Sequence, residues 1–318
     1  MVYESSNKEL HESDIIKALW RYYLSPAYAV EFTLGALGNL VVILVYVFCL
    51  SSWKSSNVYL FNLAVSDLIF LCTLPGLAYN YSHGIEEIPS FMCIANRYIL
   101  HVNLYSSILF MAWVSVDRLL LLHHLNGDHV LLTLRSSIWV SFFTWVAVNI
   151  LIAPLISFIV KDMASSNWTK CNDFGNLSGE LNMLGYSLCL TVIGYLLPLL
   201  ALFASSYQIT SILKTQQGVF GTSFQRPLRA VKAAAIMFLV LYLPYHVMRN
   251  IKIATQNPKA GLSLRTNLVI EAVYTVTRPV AFAHSVINPV FYFLITDSFR
   301  DLMMGKLGQI KRRIFPPT

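Results

Sequence analysis

Charge is what this sequence has least of. Charged residues make up 12 % of the 318-residue chain and hydrophobic ones 56 %, about half the charged share of a soluble domain. That excludes a water-facing fold. Cysteine is sparse too: there are five, none in a CxxC or Cys/His spacing, so no structural zinc is written into the chain. No nucleophile, base and acid recur as a set, and with them goes an enzyme reading. The net charge of +7 is scattered, without a basic face interleaved with aromatics, so nucleic acid is not an expected partner. The start, MVYESSNKELHESD, is polar and acidic, unlike a cleavable signal peptide.

Long apolar runs are what the chain has instead. Seven reach helix-spanning length, roughly 25–50, 56–82, 90–123, 133–158, 182–213, 227–254 and 265–295. Lipid offers a backbone no hydrogen-bond partners, so each run is expected to be a helix; the alternation of a barrel strand is missing. The expected fold is an all-α membrane protein, a seven-transmembrane helix bundle. Residues 1–24 are then an extracellular N-terminus, 25–296 the bundle, and 297–318 a short amphipathic eighth helix with a cytoplasmic tail. In that helix Phe299, Leu302, Met303 and Leu307 share one face, suited to membrane lipid. Arg300, Lys306, Lys311, Arg312 and Arg313 follow the last span closely, which puts the C-terminus in the cytoplasm and the N-terminus outside. The tripeptides beginning at Asn167 and Asn176 then fall in an extracellular loop and are glycosylation candidates. Cys49, Cys72 and Cys189 sit inside apolar runs; Cys93 and Cys171 lie at loop edges and form the one pair placed for a disulfide.

Ionisable groups inside apolar spans are functional by default, because each is costly unless paired or hydrated. Arg97 and His101 stand one helical turn apart, with Tyr105 a turn deeper. His246 and Arg249 are three apart in the sixth span, and Arg278 lies in the seventh. These residues can converge on one outward-opening cavity, with Tyr28 and Tyr81 at its rim. Arginine's planar fork takes carboxylate or phosphate, so the expected ligand is a small anion. The competing reading is that Glu271 and Glu31 neutralise the arginines internally. Deeper, Asp67 stands alone in an apolar run, with Asn103, Ser107, Asn288 and Asn39 as neighbouring polar groups and His284 one turn from Asn288. A hydrogen-bonded protonated aspartate and a cation site are both open there.

Set in these spans, Gly38-Asn39, Asn62-Leu-Ala-Val-Ser-Asp67, Asp117-Arg118, Trp139, Pro198, Pro244 and Asn288-Pro-Val-Phe-Tyr292 follow one another in order. Over essentially its whole length the chain resembles rhodopsin-like (class A) G-protein-coupled receptors. SSNVYLFNLAVSDLIFLCTLP, NRYILHVNLYSSILF, LPYHVMRN and TRPVAFAHSVINPVFYF are similar to the branch that takes succinate, oxoglutarate and purinergic nucleotides.

The resemblance implies a plasma-membrane receptor, not an enzyme, for a small dicarboxylate, with succinate the first choice. It implies a heterotrimeric G protein of the inhibitory class and arrestin as partners. Alternatives are a nucleotide or oxoglutarate-like ligand, or a weakly coupled decoy; an anion transporter is disfavoured because no repeat or paired broken span is visible. An allosteric sodium ion is implied as the metal at Asp67, with Asn103, Ser107 and Asn288. Asp117, Arg118, Tyr242, Pro244, Asn288, Pro289 and Tyr292 are implied as the activation switch. Three positions depart from the family: Leu119 and Ser206 stand where it carries tyrosine, and Tyr242 where it carries tryptophan. Tyr207 cannot stand in for the missing tyrosine, because one helical step turns a side chain by about 100°.

Overall fold

A computed structural model describes residues 14–85, 87–124, 129–168, 171–177, 181–215, 225–256, 261–295 and 299–305. Besides two short 3-10 turns, the described residues form eight longer helical segments in chain order: α1 Asp14–Phe48, α2 Ser55–His83, α3 Ser90–His123, α4 Leu134–Ser165, α5 Asn182–Thr215, α6 Gln225–Thr255, α7 Leu264–Leu294 and α8 Phe299–Gly305. Of these, α1 to α6 are each long and apolar enough to cross a membrane, and α7 meets the same standard together with α8, which runs at 89° to it. Lys306, Leu307, Lys311, Arg312 and Arg313 lie outside the described residues, as does the linker 216–224 between α5 and α6.

Helix breaks fall where the backbone chemistry requires them. Pro75 restarts α2 after a turn at Cys72-Thr73, because proline has no N–H to offer the preceding turn. A π-helical turn over Leu190–Leu196 precedes Pro198 in α5, and another over Trp20–Leu24 carries α1 below Ser25. Helical structure therefore begins at Asp14, before the apolar run starts. Pro154, Pro244, Pro279 and Pro289 sit inside α4, α6 and α7.

The central helix is α3. In its most apolar stretch 72 % of the residues are buried, against 28 % for α4, so α3 packs on all sides while α4 faces outward. Lipid tails are as apolar as leucine, so close contact and polar bridges hold such a bundle together. At Gly38 a β-carbon would sit 2.9 Å from Cγ of Pro289, so α1 and α7 touch there only because the residue is glycine. Polar bridges cross the bundle at Tyr98–Asn149 (2.6 Å), Trp113–Thr144 (3.1 Å) and Trp145–Asn62 (2.9 Å), each worth about 0.6 kcal/mol by analogy with other membrane bundles. The tryptophan of α4 that faces the bundle is thus Trp145. Trp139, expected to carry the family likeness there, is 52 % exposed; the two are six residues, or about 240° of helix, apart.

Candidate functional site

A disulfide assembles the site. Cys93, in the first turn of α3, is bonded to Cys171, with their Cα atoms 5.8 Å apart. This pins the segment 171–177 over one end of the bundle. Two residues on, Asp173 turns inward between two arginines. Arg97, one helical turn beyond Cys93, places Nη1 2.8 Å from Asp173 Oδ1. Arg278 of α7 places Nε 2.8 Å from Oδ2. Tyr274 donates its hydroxyl to Oδ2 at 3.0 Å and accepts the Gly175 N–H at 3.1 Å. Gly175 permits that approach, since a β-carbon would sit 2.7 Å from Cζ of Tyr274. Arg278 also donates to the Tyr81 hydroxyl at 2.8 Å.

All three ions are more than nine-tenths buried. Burial alone would lift the Asp173 carboxyl above its usual range. The guanidiniums of Arg278 and Arg97 outweigh it and hold the group down to about 2. Beside this triad lies a cavity of about 80 Å³ lined by Trp20, Leu77, Tyr81, Asn176 and Glu271 as well as the three ions.

Only part of the set expected to share one cavity lines it. Arg97, Arg278 and Tyr81 line the cavity; His101, Tyr105, His246, Arg249 and Tyr28 do not. His101 donates Nδ1–H to the Arg97 carbonyl at 2.7 Å, which leaves Nε2 to accept from the Tyr245 hydroxyl at 3.2 Å. Its ring stands edge-on to Phe174 at 4.9 Å. Arg249 places its guanidinium carbon 4.8 Å from the Phe174 ring centroid. Phe174 thus contacts both His101 and Arg249. Arg249 is fully buried and spends its donors on neutral oxygens: Ser187 Oγ (3.0 Å), Tyr105 Oη (2.8 Å), the Ser187 carbonyl (3.1 Å) and Thr191 Oγ1 (3.0 Å). His246 stacks on Tyr195 at 4.5 Å, and among the described residues neither ring nitrogen has a partner. Tyr28 is buried against Tyr81 and Phe282.

Neither acid expected to neutralise the arginines does so. Glu271 pairs with Lys252 at 2.6 Å and accepts the Asn176 amide at 3.1 Å; Glu31 keeps one buried oxygen without a partner among the described residues. The acid that does is Asp173, which sequence reasoning missed. Its signal was position: an acid two residues from a cysteine bonded beside Arg97 has little room to go elsewhere. The amide of Asn176 faces the cavity, whereas Asn167 is exposed, in the left-handed conformation (φ 52°).

Deeper in the bundle, Asp67 gathers Asn103, Ser107 and Asn288 as expected, and Ser285 besides, while Asn39 donates to the Gly35 and Ser285 carbonyls. Oδ1 accepts from Asn103 (2.9 Å), Ser107 (3.3 Å) and Ser285 (2.9 Å), and Oδ2 from Asn288 (2.7 Å). His284 Nε2 lies 3.6 Å from Oδ1, while its Nδ1 donates to the Ala281 carbonyl. The Oδ1 atoms of Asn39 and Asn288 are buried without hydrogen-bond partners among the described residues. A hard cation wants such oxygens, so the donor set fits sodium, with His284 as the dissenting member.

At the far end of α3, Asp117 Oδ2 lies 3.1 Å from Arg118 Nη2. The Ser55 hydroxyl caps the other Asp117 oxygen, and Arg118 donates to Ser56. The arginine is thus tied to its own helix and to the start of α2. Tyr242 is buried against Phe238 (4.9 Å) and His284 (5.1 Å), with Pro244 two residues on in α6. Pro289 touches α1, and Tyr292 packs on Phe299 at 6.3 Å. Tyr207 is 76 % exposed on the outer face of α5.

This fold and paired polar core define a seven-helix membrane receptor. Residues 38–292 match the family model described as 7 transmembrane receptor (rhodopsin family), and the chain belongs to that family. It is a multi-pass plasma-membrane receptor, not an enzyme, of a family that takes a small-molecule ligand and a G protein. The chain is 42 % identical over 295 residues to succinate receptor 1 of Rattus norvegicus, covering 92 % of each chain. It is 40 % identical over 291 residues to succinate receptor 1 of Mus musculus, covering 91 % of each. Similarity at 31 % over 302 residues extends to a purinoceptor of Gallus gallus, covering 93 % of this chain and 82 % of that one.

Proposed function

We propose that the chain is a receptor for a small dicarboxylate, succinate first, bound at the Arg97–Arg278 cavity and signalling through a heterotrimeric G protein of the inhibitory class. The observation that carries this is Asp173. Guanidiniums from two spans already hold one carboxylate group between them, each at 2.8 Å, so the site is built for that chemistry. A cavity of about 80 Å³ favours a small diacid over a nucleotide, although the purinoceptor likeness keeps nucleotides in the test. The cavity end faces outside and the Arg118 end the cytoplasm, where arrestin also binds the active form. Asn167, exposed on the outer side, is the glycosylation site these features support. Sodium, held by Asp67 with oxygens of Asn39, Asn288 and Ser107, would favour the resting form.

The test is a panel of dicarboxylates and nucleotides applied to cells expressing the chain, with G-protein activation as readout. Succinate should activate, and Arg278→Ala should abolish the response while leaving surface expression intact. Activation by nucleotides alone, uptake of labelled succinate, or binding without activation would each replace this reading, by a nucleotide receptor, a transporter or a decoy respectively.

A further inference from the structure

Between α5 and α6, at the Arg118 end, the bundle leaves a groove of about 410 Å³ that the ligand and the switch do not use. One wall is a stripe of α5: Phe203, Tyr207, Thr210 and Lys214, spaced by four, three and four so that they stack along one face. The other wall is Lys232 with Ile236, one turn apart on α6. The groove opens away from the bundle, since Phe203, Tyr207 and Ile236 are all exposed large apolar residues.

Its dimensions match one lipid leaflet. Phe203 and Lys214 are eleven residues apart, about 16 Å of helix, and half of the roughly 30 Å hydrocarbon layer is about 15 Å. Its polarity has the same gradient. Both lysines lie at one end, and the Thr210 hydroxyl is spent on the Ser206 carbonyl at 2.6 Å. Among the described residues no carboxylate lines the groove, and neither lysine has an ion-pair or hydrogen-bond partner. Two unpaired cations at the mouth of an apolar slot complement an anionic head on a hydrocarbon tail. Free phosphate would leave the slot empty, and a sterol would leave both ammonium groups unpaired.

We propose that this groove binds one anionic phospholipid, its phosphate between Lys214 and Lys232 and an acyl chain along Tyr207 and Phe203 against Ile236. Assigning it to the cytoplasmic leaflet rests on the orientation proposed above; the binding itself does not.

The experiment uses the full chain in nanodiscs of phosphatidylcholine with a tenth of phosphatidylserine, whose two leaflets are equivalent, so the result is independent of orientation. The phosphatidylserine carries a photoreactive acyl chain, and labelled peptides are mapped. Labelling should concentrate on Phe203–Lys214 and on the peptide holding Lys232 and Ile236. Each lysine near a membrane surface is worth about fivefold in binding, so K214Q/K232Q should cut that labelling roughly 25-fold, and K214E/K232E at least as far. A phosphatidylcholine probe should label these peptides weakly and be indifferent to both variants. Unchanged thermal denaturation midpoints in phosphatidylcholine alone confirm that the variants fold. Equal labelling by both probes, labelling spread evenly over α1, α4 and α5, or full competition by inorganic phosphate would each overturn the proposal.

Discussion

Substituting Asp173 by Asn separates the two roles a carboxylate can have in this site. Asn keeps the size of the side chain but removes the charge. Whichever way the amide turns, it points N–H groups at one of the two guanidiniums that now hold oxygens at 2.8 Å. A charge-assisted hydrogen bond contributes about 1.5–3 kcal/mol, and breaking a buried pair by removing one partner costs about 3–5 kcal/mol. The unliganded variant should therefore lose about 3 kcal/mol of stability, read as a lower thermal denaturation midpoint. A ligand that brings its own carboxylate to Arg97 and Arg278 must first displace Asp173 in the native chain. In the variant it need not, and relief of even one pair, about 1.5 kcal/mol, is roughly tenfold in affinity. Relief of both approaches a hundredfold. Radioligand binding of succinate to purified receptor should thus show Kd lowered ten- to hundredfold, and succinate should restore the lost denaturation midpoint. An unchanged or higher Kd together with the lowered midpoint would show that Asp173 positions the arginines for the ligand and does not compete with it.

The pH dependence follows with its sign fixed. The folded-state Asp173 carboxyl is depressed to about 2, below the ordinary carboxylate near 4, so its stabilisation is complete above about pH 4. It is lost only as pH falls through about 4 towards 2. Between pH 8 and 5 nothing is released. The ratio of succinate affinities, variant over native, should accordingly stay constant across that interval, because protonation of succinate affects both alike. A ratio that collapses towards one at pH 5 would mean that Asp173 is already protonated there.

Other outcomes follow from neighbouring contacts. Tyr105→Phe removes the hydroxyl that accepts from Arg249 and should cost about 1.5–3 kcal/mol of stability by thermal denaturation, with succinate affinity changed less than threefold, since Tyr105 lies outside the cavity. Ser56→Ala removes the α2 contact of Arg118 and should raise ligand-independent G-protein activation in a nucleotide-exchange assay. Cys93→Ser opens a loop across a separation of 78 residues, which corresponds to about 4.5 kcal/mol of chain entropy. It should lower the denaturation midpoint and weaken succinate binding, because Asp173 and the loop are no longer pinned. His284→Asn exchanges the imidazole 3.6 Å from Asp67 for an amide oxygen and should strengthen the inhibition of agonist binding by sodium chloride, measured against choline chloride.

Much of this was legible in the sequence because the expensive residues are few. Arg97, Arg278, Asp67 and Arg118 stand out against apolar runs, because each is costly in lipid unless paired or hydrated. Which face of each helix turns inward was harder. A soluble helix advertises its buried side by an apolar stripe, but a membrane span is apolar all round, so Trp139 and Trp145 read alike. Trp145 donates to Asn62 of α2, whereas Trp139 is exposed and meets Phe142 and Phe143 of its own helix. That only part of the expected set lines the cavity was illegible for another reason. Phe174 belongs to a loop whose path is set by the Cys93–Cys171 bond, and nothing local predicts that its ring meets both His101 and Arg249. The cage of Arg249 left a fainter trace, since Ser187 and Thr191 are four apart in an otherwise apolar run, the spacing of two oxygens on one helical face.

α3 ends on a locked arginine at each side of the membrane. Near one end Arg97 is held by Asp173 from the pinned loop; at the other Arg118 is held by Asp117 and Ser56. A ligand can shift a receptor only by binding one form better than the other, and the proposed site gives a diacid a way to do so. A dicarboxylate brings two charges where Asp173 supplies one. It can therefore satisfy Arg97 and Arg278 separately and allow α3 and α7 to change their spacing, which a single carboxylate bridging both guanidiniums forbids. Moving a two-state equilibrium from one part in a hundred to ninety-nine takes about 5.5 kcal/mol of differential affinity, the scale of two charge-assisted bonds. A monocarboxylate can replace Asp173 but brings no second charge. On this reasoning it binds without favouring either form, which makes agonism by diacids and silent occupancy by monoacids consequences of the same pair of arginines.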